Sequence, residues 1–365
     1  MAKSKVGGLL VVDAARKLVG IVTSRDLQFE EDGSRPLREV MTTELVTAPP
    51  GISMEKAQRI LAEKKLEKLP LVDTDGKVAG LITARDLKQK KLHPESSKDK
   101  KGRLLVGAAV GVAGDFLDRA AALFEAGADV IVVDVAHGHA DHVLDAVTRI
   151  KKRWPGKDVV AGNVATFEGA RDLADAGADG IKVGVGPGSI CSTRIVSGAG
   201  VPQLTAVMDC GHLTKKTNVP IIADGGIRDS GDIAKALTAG ASSVMIGSLL
   251  AGTEESPGLM VTRGGSKYKI YRGMASLTAT LSRREREERP VREEDLDDIV
   301  PEGVESMVPY RGHASEIVSQ LAGGLRSGMS YCGARNLPEL WKKGEFIRIS
   351  EAAWRESKPH IGAGQ

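Results

Sequence analysis

The sequence predicts an α/β protein: six units of a (β/α)8 TIM barrel, preceded by a small module built on a tandem repeat. Three observations carry this prediction. From about residue 104, short β-branched runs alternate with helical stretches. Ahead of them, one unit occurs twice at a constant offset of 60 residues. Within the alternating region one connection is the longest, and its stretch GVGPGSICSTRIVSGAG, from Gly184 to Gly200, holds five glycines and one cysteine.

The alternating runs are LLVGAAV (104–110), VIVVDVA (130–136), VVAGNV (159–164), IKVGV (181–185), PIIADGG (220–226) and SVMIGS (243–248). Between them lie helical stretches such as DRAAALFEAGAD, ARDLADAGAD and IAKALTAGAS. Their shared ending, alanine-glycine-alanine and a polar residue, reads as a glycine C-cap leading into the next strand. Strand and helix in alternation imply a parallel sheet. Nearly continuous apolar strands fit burial on both faces. A closed barrel needs eight such units. Six are countable, and the first two strands are missing from the region ahead of residue 104.

That region contains LLVVDAARKLVGIVTSRDL (9–27) and LPLVDTDGKVAGLITARDL (69–87). Asp13 aligns with Asp73, Gly20 with Gly80, Thr23 with Thr83, Arg25 with Arg85 and Asp26 with Asp86. Each copy reads as strand, polar turn, strand and a Thr-x-Arg-Asp helix start, with the threonine or aspartate as cap. Between the copies, SMEKAQRILAEKKLEKLP carries apolar residues at helical spacing. The pair resembles a tandem CBS (Bateman) module whose first copy lacks the helix and strand expected ahead of LLVVD. We place the partial module at 1–92 and the barrel portion at 93–365. The resemblance implies adenine or guanine nucleotides as ligands of the module.

Bulk composition excludes several classes. The formal net charge of +3 is too small to imply nucleic-acid or membrane partners. Aromatic residues make up 3%, too few for base-stacking platforms. No apolar run reaches the roughly 18 residues that span a bilayer, and the start MAKSKVGGLLVVDAARK lacks the core of a signal peptide. Cys191, Cys210 and Cys332 form no pairable or metal-type framework, as in a reduced, cytoplasmic protein.

In a barrel, ligands bind at the C-terminal ends of the strands. Four strand ends stand out. The Cys191 loop follows IKVGV, and a thiol amid backbone this free reads as a nucleophile. ADGGI (223–227) and GSLLAG (247–252) end the last two strands, where backbone N–H groups commonly cradle phosphate. VVDVAHGH places Asp134 and His137 at a fourth end. Cys210 and Cys332 lack such a setting and read as structural. His137, His139 and His142 have metal-like spacing without an accompanying carboxylate set. SRREREERPVREEDLDD (282–298) has the composition of a solvated segment.

Together these residues resemble the inosine-monophosphate dehydrogenase and guanosine-monophosphate reductase family over nearly the whole chain. GVGPGSICSTR is similar to its catalytic-cysteine signature, and the family inserts its CBS pair after the second barrel strand. The resemblance implies that Cys191 forms a covalent thioimidate with the purine after hydride leaves for NAD, with Thr193 beside it. It implies nucleotide contacts from Ser189, Asp224, Gly225, Gly226, Gly247, Ser248, Tyr271, Gly273, Met274, Ser276 and Glu302. Asp134, Gly184 and Gly186 would meet the cofactor. Carbonyls of Gly186, Gly188 and Cys191 would bind potassium, completed by Glu356, Ser357 and Lys358 of a neighbouring subunit in a homotetramer.

Within the family, reductases carry a glutamate where this chain has Leu277, and VPEGVE (300–305) resembles the end of the dehydrogenase flap, about 277–305. Both favour oxidation of IMP to XMP with NAD. Counting back from VPEG puts the flap's catalytic arginine at Arg289, followed by Pro290 where tyrosine is expected. An NADPH-dependent GMP reductase, a non-catalytic nucleotide sensor and a flavin-dependent barrel are the competing readings. With two barrel strands missing, the expectation is an amino-terminally truncated family member of poor activity.

Overall fold

The computed structural model describes residues 1, 6–100, 102–286 and 301–358. The chain divides into two compact units, Met1–Leu105 and Val106–Gln365.

The first unit is organised around two hairpins. β1 (Gly8–Val12) pairs with β2 (Leu18–Thr23), and β3 (Lys68–Val72) pairs with β4 (Val78–Thr83). The duplication is structural as well as textual. Both hairpins shift register at the same place, between Val11 and Val12 and between Leu71 and Val72. Lys17 bridges its own counterpart, Lys77. Leu18 N–H donates to the Gly76 carbonyl (3.0 Å) and Val78 N–H to the Arg16 carbonyl (3.3 Å), a local two-fold relation. The hairpin turns also match, with Gly76 at φ +77° and Arg16 at φ +63°, although only glycine reaches that region freely. α1 (Leu37–Val40) and α2 (Met54–Glu63) lie between the hairpins in sequence. Ser53 caps α2, whose Ala57 and Leu61 pack with Ala48 and Leu69 in this unit's core.

The copies part after their second strands. α3 (Ala84–Leu92) follows β4 with a full capping box between Thr83 and Asp86. Asp26 repeats the two carboxylate bonds to Thr23, at 2.7 Å to N–H and 2.8 Å to the hydroxyl, but not the return bond that Asp86 N–H donates to the Thr83 hydroxyl at 3.1 Å. Yet residues 24–29 form only turns, not the expected helix. The far ends differ too. Lys90 and Lys91 complement the C-terminal dipole of α3, whereas the first copy has Glu30, Glu31 and Asp32 there, followed by Gly33.

The second unit carries a six-stranded parallel sheet. Its strands are β5 (Gly107–Val110), β6 (Val130–Asp134), β7 (Asp158–Val164), β8 (Gly180–Val183), β9 (Ile221–Asp224) and β10 (Ser243–Met245), paired in chain order. Strands wound one after another with intervening helices are the barrel's topology. The helices are α4 (Phe116–Glu125), α5 (Asp141–Arg153), α6 (Phe167–Asp175), α7 (Thr193–Val196), α8 (Gln203–Thr217), α9 (Ser230–Thr238) and α10 (Ser248–Ala251). Leu104 to Val106, expected within the first strand, are exposed and precede it. The Asp129 carboxylate takes the Val106 N–H there, ending the ladder.

Three helices end as their repeated sequence predicts. Gly127, Gly177 and Gly240 sit at φ +100°, +103° and +118° after α4, α6 and α9. Ala128, Ala178 and Ala241 N–H groups then reach back to the carbonyls of Leu123, Leu173 and Ala236, closing Schellman motifs. α5 buries Val143, Ala146, Val147 and Ile150, one helical face, against the sheet. One core cluster joins these residues to Ile131, Val133, Ile181, Val183, Ile221 and Ala223 of the strands.

Beyond the sheet, β11 (Met260–Arg263), β12 (Ser266–Arg272) and β13 (Glu305–Pro309) make a small antiparallel sheet in that order. α11 (Leu277–Arg286) leaves β12, and α12 (Ala314–Tyr331), α13 (Leu337–Lys343) and α14 (Glu351–Glu356) complete the chain's elements. α12 lies close on α9, with Gly324 and Gly328 set against Ser230 and Ala234. Among the described residues no helix is long and apolar enough to cross a membrane.

Candidate active site

The C-terminal ends of β8, β9 and β10 surround a cavity of about 390 Å³. Eight of the residues singled out in the sequence line it: Gly188, Ser189, Asp224, Gly225, Gly226, Gly247, Ser248 and Tyr271. Backbone conformation demands the paired glycines, since Gly225 and Gly226 lie at φ +88° and +75°. A Cβ on Gly225 would also stand 2.9 Å from the Pro187 ring. Gly247 precedes α10, and its backbone faces the Tyr271 hydroxyl. Burial pushes the Tyr271 phenol above its ordinary value, against a hydrogen bond with Ser189.

Asp224 anchors this side. Its Oδ2 accepts from Lys182 Nζ at 2.5 Å and from Asn163 Nδ2 at 3.0 Å. The same Lys182 ammonium reaches Asp134 Oδ1 at 2.8 Å. Burial alone pulls this ammonium's pKa down, but the Asp224 and Asp134 carboxylates outweigh it and hold it above its ordinary value. Gly184, at φ +150°, lets the chain pass directly against the Asp224 carbonyl, where a Cβ has no room. Its own carbonyl accepts from Asn163 at 2.7 Å. Gln203 ties β8 to β9 through the carbonyls of Val183 and Asp224.

The thiol side is assembled from distant sequence. Cys191 is exposed and does not line the cavity, although Pro187, Gly188 and Ser189 of its loop do. Its Sγ lies 3.2 Å from Thr193 Oγ1, which donates to Glu302 Oε2 at 2.6 Å. Main-chain bonds hold the two segments together: Ser192 N–H to the Glu302 carbonyl and Val304 N–H to the Ile190 carbonyl. Glu302 N–H donates in turn to the Ala275 carbonyl, and Gly273 N–H to the Val304 carbonyl. The loop's ends close on Arg194, whose guanidinium donates to Val201 O at 2.5 Å and Val185 O at 3.4 Å. A side chain on Gly186 or Gly200 would collide with it.

Other expected residues lie elsewhere. Met274 is 91% exposed. Ser276 is buried, and its hydroxyl accepts from Ala279 N–H at the start of α11, supporting the turn that carries Gly273 and Met274. Glu356 is the exposed last residue of α14, Ser357 donates to the Ala353 carbonyl at 2.8 Å, and the Lys358 ammonium stands over Trp354. Arg289 lies outside the described residues. His139 pairs with Asp172 at 2.9 Å, and no metal-type cluster of His, Cys, Asp or Glu occurs among the described residues. Cys210 is buried, and burial pushes its thiol up to about 12. Cys332 is half-buried.

Sequence reasoning missed Lys182, Asn163, Gln203 and Arg194. For Lys182 a signal existed: it is the one charged residue in the apolar run IKVGV, where a lysine needs partners.

Comparison with known proteins now decides the family. The IMP dehydrogenase / GMP reductase domain matches residues 39–360, and a CBS domain matches residues 1–30. This chain belongs to the IMP dehydrogenase / GMP reductase family. Among its relatives is an inosine-5'-monophosphate dehydrogenase of Nitrosopumilus maritimus, 55% identical over 98% of this chain and 75% of its own length. The enzyme of that name from Aquifex aeolicus is 56% identical over 99% of this chain and 74% of its own length. In three dimensions the family likeness extends to a GMP reductase of Trypanosoma brucei, a cysteine-to-alanine form in complex with guanosine 5'-monophosphate. It has a TM-score of 0.89 and 47% identity over 98% of this chain and 74% of that one.

Proposed function

We propose that the chain is an NAD-dependent IMP dehydrogenase, oxidising IMP to XMP for guanine-nucleotide synthesis through a covalent adduct on Cys191. The observation that carries this reading is the hydrogen-bonded series Cys191–Thr193–Glu302, beside a cavity that the same loop's Pro187, Gly188 and Ser189 line together with Asp224 and the glycine pairs. Its relatives at 55–56% identity bear the dehydrogenase name.

In this reading the ribose hydroxyls of IMP donate to Asp224. The phosphate takes N–H groups around Gly225, Gly226, Gly247 and Ser248, with Ser189 and Tyr271 beside it. Gly273 and Met274 edge the base, and Ser276 supports their turn from its buried position. Cys191 Sγ adds to C2 of the purine, and a hydride leaves C2 with its electron pair, giving a thioimidate. Water then adds to C2, the carbon–sulfur bond breaks, and XMP departs. One IMP, one NAD and one water thus give XMP, NADH and a proton, a hard oxidation divided into two steps. The hydroxyl of Thr193 relays to the Glu302 carboxylate the proton of the water that adds to C2, so that Glu302 serves as base in the hydrolytic step. Arg289 belongs to the same hydrolytic step as a second base.

NAD, when bound, supplies the hydride acceptor. Asp134 fits its ribose, because the carboxylate is exposed at a strand end and fixed by Lys182; Gly184 and Gly186 would meet the cofactor from the start of the adjoining loop. The neutral carbonyls of Gly186, Gly188 and Cys191 suit a monovalent cation such as potassium. Glu356, Ser357 and Lys358 would complete that set from a neighbouring copy in a homotetramer. The repeated Thr-x-Arg-Asp ends of the first unit would take adenine or guanine nucleotides.

A GMP reductase is the second reading, favoured by the likeness to the Trypanosoma brucei structure. Leu277 weighs against it, since leucine neither gives nor takes a proton. Paired assays decide between them. NADH formation from IMP and NAD is expected; NADPH consumption with GMP, and no NADH from IMP, would overturn the dehydrogenase.

A further inference from the structure

We propose that Lys182 is a positioning residue, whose ammonium locks Asp134 and Asp224 together and so fixes how the two substrate riboses face each other. The inference rests on the assignment of those aspartates to nicotinamide ribose and nucleotide ribose made above.

The strand is built to place this lysine. All four residues of β8 are buried, and Lys182 is 3% exposed. Ile181 and Val183 point to the apolar core, so the pleat sends Lys182 to the opposite face. Its neighbour across the ladder is Gly162, where any Cβ would strike the Lys182 stem and carbonyl. The space for a long cationic side chain is thus made by its partner strand.

At the strand ends the ammonium meets Asp134 from β6 at 2.8 Å and Asp224 from β9 at 2.5 Å. Asn163 from β7 bonds the same Asp224 oxygen at 3.0 Å. Tyr271 of β12 also feels the Asp224 charge. Both carboxylates keep an open face, with side chains 49% and 23% exposed, while the lysine side chain is 4% exposed. A buried ion triad is weak as a stabilising device, since desolvation consumes most of the attraction. It is strong as a device for orientation, because each donor fixes one oxygen and leaves the carboxylate's other side to a ligand.

Removing the ammonium leaves two carboxylates facing each other in a partly buried site. Like charges so placed resist joint ionisation, and one carboxyl titrates higher. Lys182→Met and Lys182→Arg in the full chain test this. The first measurement needs no turnover: the ¹³C titration of aspartate carboxyls in the ligand-free protein. In Lys182→Met one carboxyl should move up by about one pH unit or more; in Lys182→Arg, which keeps the charge, it should not. The second is kinetic. Lys182→Met should raise KM for IMP and for NAD together, each about ten-fold or more, and carry the acid limb of kcat/KM to higher pH. Lys182→Arg should recover the limb.

Unmoved carboxyl titration, or a rise in KM for one substrate alone, would overturn the proposal. Wild-type protein that turns over neither IMP nor GMP would instead overturn the functional reading, and the ligand-free titration would still judge the lysine.

Discussion

Asp224, 23% exposed, is gripped by Lys182 and Asn163 from two neighbouring strands, whereas Cys191 stands exposed in a glycine-rich loop with a hydroxyl 3.2 Å away. The first arrangement is part of the sheet and shares its burial. The second hangs on main-chain bonds between residues 190–192 and 302–304, contributed by segments more than a hundred residues apart. In the proposed function the difference follows from what each side would have to do. A ribose has to be met by a fixed acceptor, which a strand end provides. A thiol that attacks, holds and releases a purine needs a loop that can approach and retreat, with its proton path brought by a separate segment.

The sharpest way to break the comparison is Cys191→Ala. Turnover should fall on the order of 10⁶-fold, the scale of deleting a covalent nucleophile. Calorimetric IMP affinity should stay within a few-fold, because binding belongs to the other side. Thr193→Val and Glu302→Gln come next, slowing turnover by roughly 10²–10⁴-fold. Rapid-quench mass spectrometry should then show the Cys191 adduct accumulating, since the proton path fails after hydride transfer.

Asp224→Asn should weaken IMP binding about 10- to 100-fold by removing one charged acceptor. It should leave the reactivity of Cys191 toward iodoacetamide unchanged. The same reagent gives the mildest contrast. At pH 8 Cys191 should be alkylated and Cys210 spared, because burial holds the Cys210 thiol protonated up to about 12. That raised pKa also contributes stability which is complete below 9.0 and is lost as pH climbs toward 12. Urea midpoints of Cys210→Ala should therefore fall less steeply over that range than those of the wild type.

Much of this was legible in the sequence, for reasons that are local. The Ala-Gly-Ala endings dictate Schellman caps wherever they occur, and Gly127, Gly177 and Gly240 obey. A constant offset reveals a repeat, and the Lys17–Lys77 bridge lies on its two-fold. Cys191 announces itself by its glycines. What escaped depends on partners far apart in sequence. Lys182 meets Asp224 across 42 residues, and nothing adjacent to either one signals the other. Ser276 reads as a site residue until α11 is seen to begin on it. Arg25 and Asp26 promise a helix, but their copy lacks the return bond to Thr23 and ends in the acids at 30–32. Arg16 occupies a turn conformation that its copy gives to Gly76, a local rule broken without a local signal.

The most direct test of the central claim mixes the purified chain with IMP, NAD and potassium, and follows NADH absorbance while mass spectrometry watches Cys191. The account predicts a burst of NADH and an IMP-derived adduct on Cys191 that decays as XMP appears. NADH formed without any adduct, or an adduct on another cysteine, would contradict it.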